Sequence, residues 1–243
     1  MHHIKITELS IAANVCGQVL REVEKQPQWS MAHVVMNPMA VSLLHQHRKM
    51  EEIYVVTRGF GRLGLLTPHS KPTGHFEKVA AGSVHRIEPK VPHILENETA
   101  GTLEHLVFAF PPFNPKDVHL IKNKTVCGWT HELDLQEEQD CFDGAKILPY
   151  SFPDLDISMA FGRVTNDSKK RKKPHFHKRT TEWIYVVEGE GTILIGGEEG
   201  SMSHGDWFRI DPREPHAMRS DTPENLVVVC VCSPAFDMND VYY

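Results

Sequence analysis

The sequence is poor in the features that would place it outside the ordinary globular class. It has only five cysteines among 243 residues, an odd number without framework spacing, so it is no disulfide-stapled scaffold. Cys230 and Cys232 lie two apart in an apolar run and would share one strand face, but nothing else in the sequence partners them for a redox or metal role. All five read as reduced thiols. No apolar stretch approaches the roughly 18 residues a membrane helix needs, and Met1 to Lys5 lack the apolar run of a signal peptide. A cytoplasmic protein with no membrane partner is the expectation. Positive charge is in deficit as well: the net charge of −6 offers no general attraction for nucleic acid or an anionic membrane. One basic run, residues 169–173, stands out beside Lys178 and Arg179. It reads either as a solvated loop or as a funnel for anionic substrates, and it lacks the interleaved aromatics of a nucleic-acid surface.

What the chain does have is turns, short strands and histidine. Glycine, proline and histidine each occur 16 times. Residues 1–28 settle on no single period. From Trp29 onward short β-like runs follow one another, over 31–36, 41–47, 53–56, 62–66 and 81–89, then one starting at Pro92-His93 and one over 102–110, with turn residues between them. Residues 67–77 read as a loop in which His69 and His75 are solvated. Residues 114–148 read as a connector, with 136–140 ending a short helix or a surface loop. Short strands at regular spacing predict an all-β sandwich or barrel.

The second half repeats the first. His45 to Gly59 matches His175 to Gly189 at a constant offset of 130, and Arg86 to His93 matches Arg209 to His216 at an offset of 123. The second offset also carries Asp117 onto Asp240. The change between the offsets implies a loop seven residues longer in the first half, between Gly61 and Gly82. Two domains are expected, over 1–125 and 126–243.

Each repeat carries a metal-ligand set. On a strand, residues i and i+2 share a face, so His45 with His47, and His175 with His177, would place two imidazoles side by side. A carboxylate (Glu52, Glu182) and a third imidazole (His93, His216) would complete an N/O site suited to divalent iron, manganese, nickel or zinc. Glu51 competes with Glu52, and the repeat decides between them: Thr181 stands at the position of Glu51, Glu182 at that of Glu52.

These spacings resemble the cupin family over most of both halves. The first cupin motif is His-x-His, four residues, Glu, six residues, Gly; here it reads His45, His47, Glu52, Gly59 and again His175, His177, Glu182, Gly189. The second motif reads Gly82, Pro89, His93, Asn97, then Gly205, Pro212, His216. The glycine usual after the proline is replaced by Lys90 and Arg213, and Ser220 stands where the first half has Asn97. The resemblance implies two tandem jelly-roll barrels with short helical connectors, a bicupin with both ligand sets complete and one divalent metal in each. It implies an enzyme acting on a small, anionic molecule, with dioxygenase chemistry favoured. A cupin isomerase, epimerase or decarboxylase is the alternative, as is a ligand-binding bicupin without turnover. A homodimer is expected by analogy with such folds.

Three further residues are candidates for chemistry. Arg86 and Arg209 occupy matching places on the strand leading to the third histidine. If that face looks into the barrel, each could grip a carboxylate or phosphate; if not, Glu88 or Asp211 would pair with it outside. His105 alternates with Leu103 and Val107. It reads as a core histidine or as a barrel-lining base.

Overall fold

The computed structural model describes residues 1–14, 18–66, 74–122, 124–133, 137–141, 144–165 and 173–243. They form two compact units. One is Leu9–Leu135; the other is Gln136–Tyr243 together with Met1–Glu8.

The first unit is built from two sheets. One has the order Val19–Lys25, Ser30–Met36, Leu103–Phe110, Glu51–Arg58, Val84–Ile87. The other runs Val118–Leu120, His45–His47, His93–Glu96, Phe60–Leu66, Gly74–Ala80, Thr130–His131. The second unit reproduces the first order as Lys146–Phe152, Ile157–Val164, Leu226–Ser233, Thr181–Glu188, Asp206–Ile210. Its counterpart of the second sheet is Glu198–Ser203, Glu190–Ile195 and His216–Ser220, with His175 bridged to His216 and Phe176–His177 paired to Val241–Tyr242. The duplication is therefore one of topology as well as of sequence, and each unit is a jelly-roll barrel.

Periodicity explains the interiors. On Thr181–Glu188 the residues Glu182, Ile184 and Val186 point inward, and Ile184 and Val186 pack with Phe208, Ile210, Leu226 and Val228. In the first unit Tyr54, Val56, Ile87, Leu103 and Leu95 pack in the same way. Fully burying one such side chain is worth about 1.5–3 kcal/mol. Trp183, Tyr185 and Trp207, on the opposite face, are also buried. Strands buried on both faces read as continuous apolar runs, which is why alternation along the sequence did not say which face looks inward. Gly59 and Gly189 end the carboxylate strands at φ 78° and 89°, and a Cβ there would fall 2.3 Å from the Thr102 carbonyl oxygen or 2.6 Å from that of Asn225.

Several expectations change. Residues 1–28 contain two strands, His2–Lys5 and Val19–Lys25. The segment read as a loop over 67–77 is strand from Gly74 onward, and residues 67–73, where the longer first-half loop falls, lie outside the described residues. Within the connector, Gln139–Asp140 is a short strand on Lys146–Phe152, not a helix end. Among the described residues the helical connectors are single 3-10 turns, such as Pro115–Asp117 and Met238–Asp240. No helix among the described residues is long and apolar enough to cross a membrane. Cys127, Cys141, Cys230 and Cys232 form no disulfide.

The linear division of the chain did not anticipate the N-terminal strand. His2–Lys5 pairs with Asp206–Ile210 and so completes an edge of the second unit. Asp206 fastens it: the carboxylate lies 2.9 Å from His3 Nε2 and 3.0 Å from Lys5 Nζ, and accepts from the Ser203 N–H at 2.7 Å. Burial alone would raise the Asp206 carboxyl, but these donors outweigh it and hold it below its usual range. Because the folded-state value is the lower one, the stabilisation is complete above the unfolded value of about 3.9 and fades as pH falls through the folded value. Asp206→Asn is expected to lower the denaturation midpoint at neutral pH, the gap to wild type closing as the pH falls through the lowered folded-state value. A gap that stays constant across an acid titration of urea midpoints would refute this.

Candidate metal centres

The two histidines of each His-x-His project from one face of a short strand, and the third histidine lies across the ladder. His45 is the direct partner of His93, and His175 of His216. Directly opposed side chains have Cβ atoms only about 4.5–5.5 Å apart, so the pairing itself brings the rings together, tilted to one another, with centroids at 4.2 Å and 4.3 Å. The carboxylate arrives from the facing sheet, on Glu51–Arg58 in one unit and Thr181–Glu188 in the other. Glu52 Oε2 lies 3.4 Å from His47 Nε2 and 3.2 Å from His93 Nε2. Glu182 Oε2 lies 3.5 Å from His177 Nε2 and 3.0 Å from His216 Nε2. In each group one ligand atom from each of the four residues lies within 4.8 Å of all the others.

These residues fit a metal ion. His45, His93 and His216 turn Nδ1 toward the backbone carbonyls of Leu43, Val91 and Glu214, at 2.8, 3.0 and 2.9 Å, which aims Nε2 into the centre. The Nε2 atoms of His47, His93 and His216 are buried and, although 3.0–3.4 Å from the glutamate oxygens, make no well-directed hydrogen bond. A buried nitrogen without a partner is costly, and a cation coordinated by all four groups removes that cost. Burial, then the neighbouring His93, lowers the His45 pKa to about 4, which keeps the ring in its ligand form. Burial would push Glu52 and Glu182 up, but their imidazole contacts outweigh it and hold both below the ordinary carboxylate range. Burial would lower His47 and His216, but their contacts with the glutamates outweigh it and raise both above the ordinary imidazole value. Once a bound cation displaces their protons, each centre offers three nitrogen donors and one anionic oxygen, a set suited to a divalent metal.

Two features brace each centre. Asp117, buried at the end of the first barrel, accepts from the backbone N–H groups of Arg48, Lys49 and Met50 at 3.3, 3.0 and 2.9 Å. Asp240 does the same for Lys178, Arg179 and Thr180 at 3.3, 3.1 and 3.3 Å. These turns join the second histidine to the glutamate and so set the spacing between the two ligands. The repeat matches Asp117 with Asp240, and that pairing is the sequence signal through which the brace could have been found. Lys90 and Arg213 sit at φ 69° and 72°, and their N–H groups each donate to the carbonyl of His47 or His177 at 2.6 Å. The left-handed geometry that suits the missing glycine is therefore retained, by residues that strain in it.

Glu51 is no ligand. It faces out and pairs with Arg86, whose Nη2 lies 2.7 Å away. Arg86 stands opposite Ile53 on the outer face of its sheet, not on the face of His85 and Ile87. Arg209 likewise lies opposite Trp183, with Nη2 2.8 Å from Asp211. The structure therefore does not bring either arginine to the metal groups; the outer-face pairing applies, with Glu51 rather than Glu88 serving Arg86. His105 does line its barrel. It is 2% exposed, with its ring centroid 4.8 Å from that of Tyr54, whose hydroxyl donates to Glu52 at 3.2 Å. Burial, then His33, lowers its pKa to about 3, so it is neutral. Sequence reasoning missed Tyr54. His85 is held by Glu77 and Ser83 at 3.0 and 2.9 Å, and His75 packs against Trp129 and His131 instead of being solvated. Of the basic run only Lys173 lies within the described residues; His69 lies outside them.

The second centre opens on a cavity of about 740 Å³, whose lining includes His175, His177, Glu182 and His216. Cys230 and Cys232 both face it, as their spacing predicted. Burial, then the Glu182 charge, pushes the Cys232 thiol up, which keeps it protonated.

A duplicated jelly-roll barrel with a three-histidine, one-glutamate centre in each copy defines a metal-binding β-barrel protein with two sites. Family models agree: residues 19–139 match the model described as Cupin, and residues 163–232 the one described as Cupin domain. The chain belongs to the cupin family and is a bicupin. An uncharacterized protein of Methanocaldococcus jannaschii is 31% identical over 111 residues, covering 44% of this chain and 83% of that one. L-ectoine synthase of Aliivibrio fischeri strain MJ11 is 31% identical over 70 residues; the match takes in 28% of this chain and 55% of the synthase. Among solved structures, a Bacillus subtilis oxalate decarboxylase variant superposes with TM-score 0.69 at 14% identity, over 97% of this chain and 78% of that one. The Lactobacillus farciminis oxalate decarboxylase formate complex gives 0.69 at 16%, over 95% and 85%. At these identities the likeness is one of fold.

Two outcomes test the braces. Asp240→Ala is expected to weaken metal binding at the second centre by about 10–100-fold and to leave the first unchanged, as read by competition with a chromophoric chelator; equal affinities would show that the turn needs no brace. Arg213→Val is expected to destabilise by about 1–2 kcal/mol, because a branched side chain resists the left-handed region, while Arg213→Gly keeps or raises the melting temperature. Similar melting temperatures for both variants would remove the strain argument.

Proposed function

We propose that the protein is a metal-dependent enzyme acting on a small anionic metabolite, with the cytoplasm as its compartment. The observation that carries this reading is the donor set: four protein ligands leave two positions of an octahedral ion open, and in the second barrel they face a cavity rather than packed side chains. A bound divalent ion would supply Lewis-acid chemistry and, if redox-active, dioxygen chemistry. The chain's own residues do the rest. His45, His47, Glu52 and His93 would hold one ion, and His175, His177, Glu182 and His216 the other. Tyr54 orients Glu52 through its hydroxyl. His105, neutral and with an unpartnered buried Nδ1, is the candidate proton acceptor in the first barrel. Lys173, exposed and lining the cavity, would draw an anion toward the second centre. An anion-orienting role for Arg86 and Arg209 forms no part of the proposal, since both point away from the centres.

Dioxygenase chemistry is the favoured reaction, because an open three-histidine, one-carboxylate centre suits dioxygen activation. Non-oxidative chemistry on a carboxylate is the second reading. It is supported by the shared fold with oxalate decarboxylase, whose Bacillus subtilis form has Mn(II) centres. An isomerase would draw on His105. A bicupin that binds its ligand without turnover is the contrasting class.

Protein loaded separately with Fe²⁺ and Mn²⁺, tested on a panel of carboxylates and phenols for oxygen uptake and carbon dioxide release, separates these readings. Oxygen uptake that His175→Ala abolishes is the expected result. Carbon dioxide release without oxygen uptake would replace the dioxygenase with a decarboxylase. Native protein carrying zinc at both centres, with neither gas exchanged, would leave ligand binding alone.

A further inference from the structure

We infer that the second barrel selects a monocarboxylate with an apolar or aromatic body, over short and wholly polar acids. The inference rests on the proposed binding of an anion at the metal centre and names the class of molecule attached to that anion.

The cavity provides the argument. Its volume of about 740 Å³ falls in the range of sites for drug-sized ligands, far above what a two-carbon acid fills. The ligand histidines and Glu182 form one part of its lining. Ile147, Pro149, Met159, Val164 and Val228 form much of the rest. Met159, Val164 and Val228 are at most 2% exposed, so this is interior wall. Phe236 and Met238 also line it and are 42% and 59% exposed, which places them at its opening. Lys173 is the only Lys or Arg among the described lining residues. Gln139, Tyr150, Ser151 and Ser158 also line the cavity, but apart from Lys173 no described lining residue offers a Lys or Arg to a second carboxylate away from the metal, and burying that charge without a counter-ion would be costly. An apolar body removes wall and ligand surface from water together.

The duplication sharpens the point. On the inner face of the first barrel stand Tyr54 and His105; at the matching places the second barrel has Ile184 and Val228. Strand pairing confirms the match, since His105 lies opposite Val56 and Val228 opposite Val186. At these two inner positions one frame thus carries polar side chains in one unit and apolar ones in the other.

The test uses the full chain loaded with Mn²⁺ and a series of oxalate, pyruvate, hexanoate and phenylpyruvate. Calorimetry gives the affinities, and Mn²⁺-induced relaxation of ligand protons shows which end lies near the ion. Phenylpyruvate, which shares its head group with pyruvate, is expected to bind at least about tenfold more tightly. Ala160, on the cavity wall, provides the control: Ala160→Phe is expected to bring the ratio to about threefold or less with two Mn²⁺ per chain retained. Val228→Thr adds one hydroxyl to the wall at nearly the same shape and is expected to weaken phenylpyruvate about threefold or more while leaving pyruvate unchanged. Equal binding of pyruvate and phenylpyruvate, tighter binding of oxalate, no binding by any member, or a ratio untouched in both variants would overturn the inference. Turnover is scored separately. Size selection without turnover removes the enzymatic reading and leaves this one standing, whereas turnover of pyruvate or oxalate without size selection does the reverse.

Discussion

Each barrel depends on the meeting of two sheets at four ligand atoms. Three imidazoles come from one sheet and a carboxylate from the other, and the four ligand atoms converge to within 4.8 Å of one another. Left to themselves the groups are poorly matched. The buried carboxylate is held ionised by its imidazole neighbours, and several buried ring nitrogens lack a well-directed hydrogen bond. A divalent cation resolves both problems and ties the sheets together. The surrounding features make sense as means of holding that geometry: carbonyls that fix the ring orientation, an aspartate that gathers three N–H groups of the turn, and a strained residue that pins the second histidine through its carbonyl.

The duplication separates this frame from its lining. Frame residues recur nearly one for one, down to Asp117 with Asp240 and the left-handed Lys90 with Arg213. Lining residues do not. Tyr54 reaches Glu52 in the first barrel, and Ile184 cannot do so in the second. A frame constrained by ligand geometry tolerates little change, whereas an interior wall can be repainted without disturbing the metal. The superposition on oxalate decarboxylase therefore shows a shared fold alone, and the walls must be read from this chain itself.

The ligand sets were legible because strand pairs impose short, local spacings. His-x-His, the glutamate five residues on and the Pro-His step all lie within a few residues of a turn, and the second copy decided between Glu51 and Glu52. Arg86 and Arg209 were not legible in the same way. Their strands carry apolar residues on both faces, Val84 and Ile87 in one and Trp207 and Ile210 in the other, so the apolar pattern lost its period and the inward side could not be read. His2–Lys5 gave no signal either, since its partner lies about 200 residues away and its fixing contacts are polar.

By itself, then, the sequence determined the all-β class, the repeat and the identity of eight ligands, because each is a matter of local spacing along a strand. Only the tertiary structure decided where the N-terminal strand lies, which way the arginines point and that the second centre faces a wide apolar cavity. Those depend on which face of each strand meets the opposite sheet, a property of packing between residues far apart in the chain, and no local pattern records it.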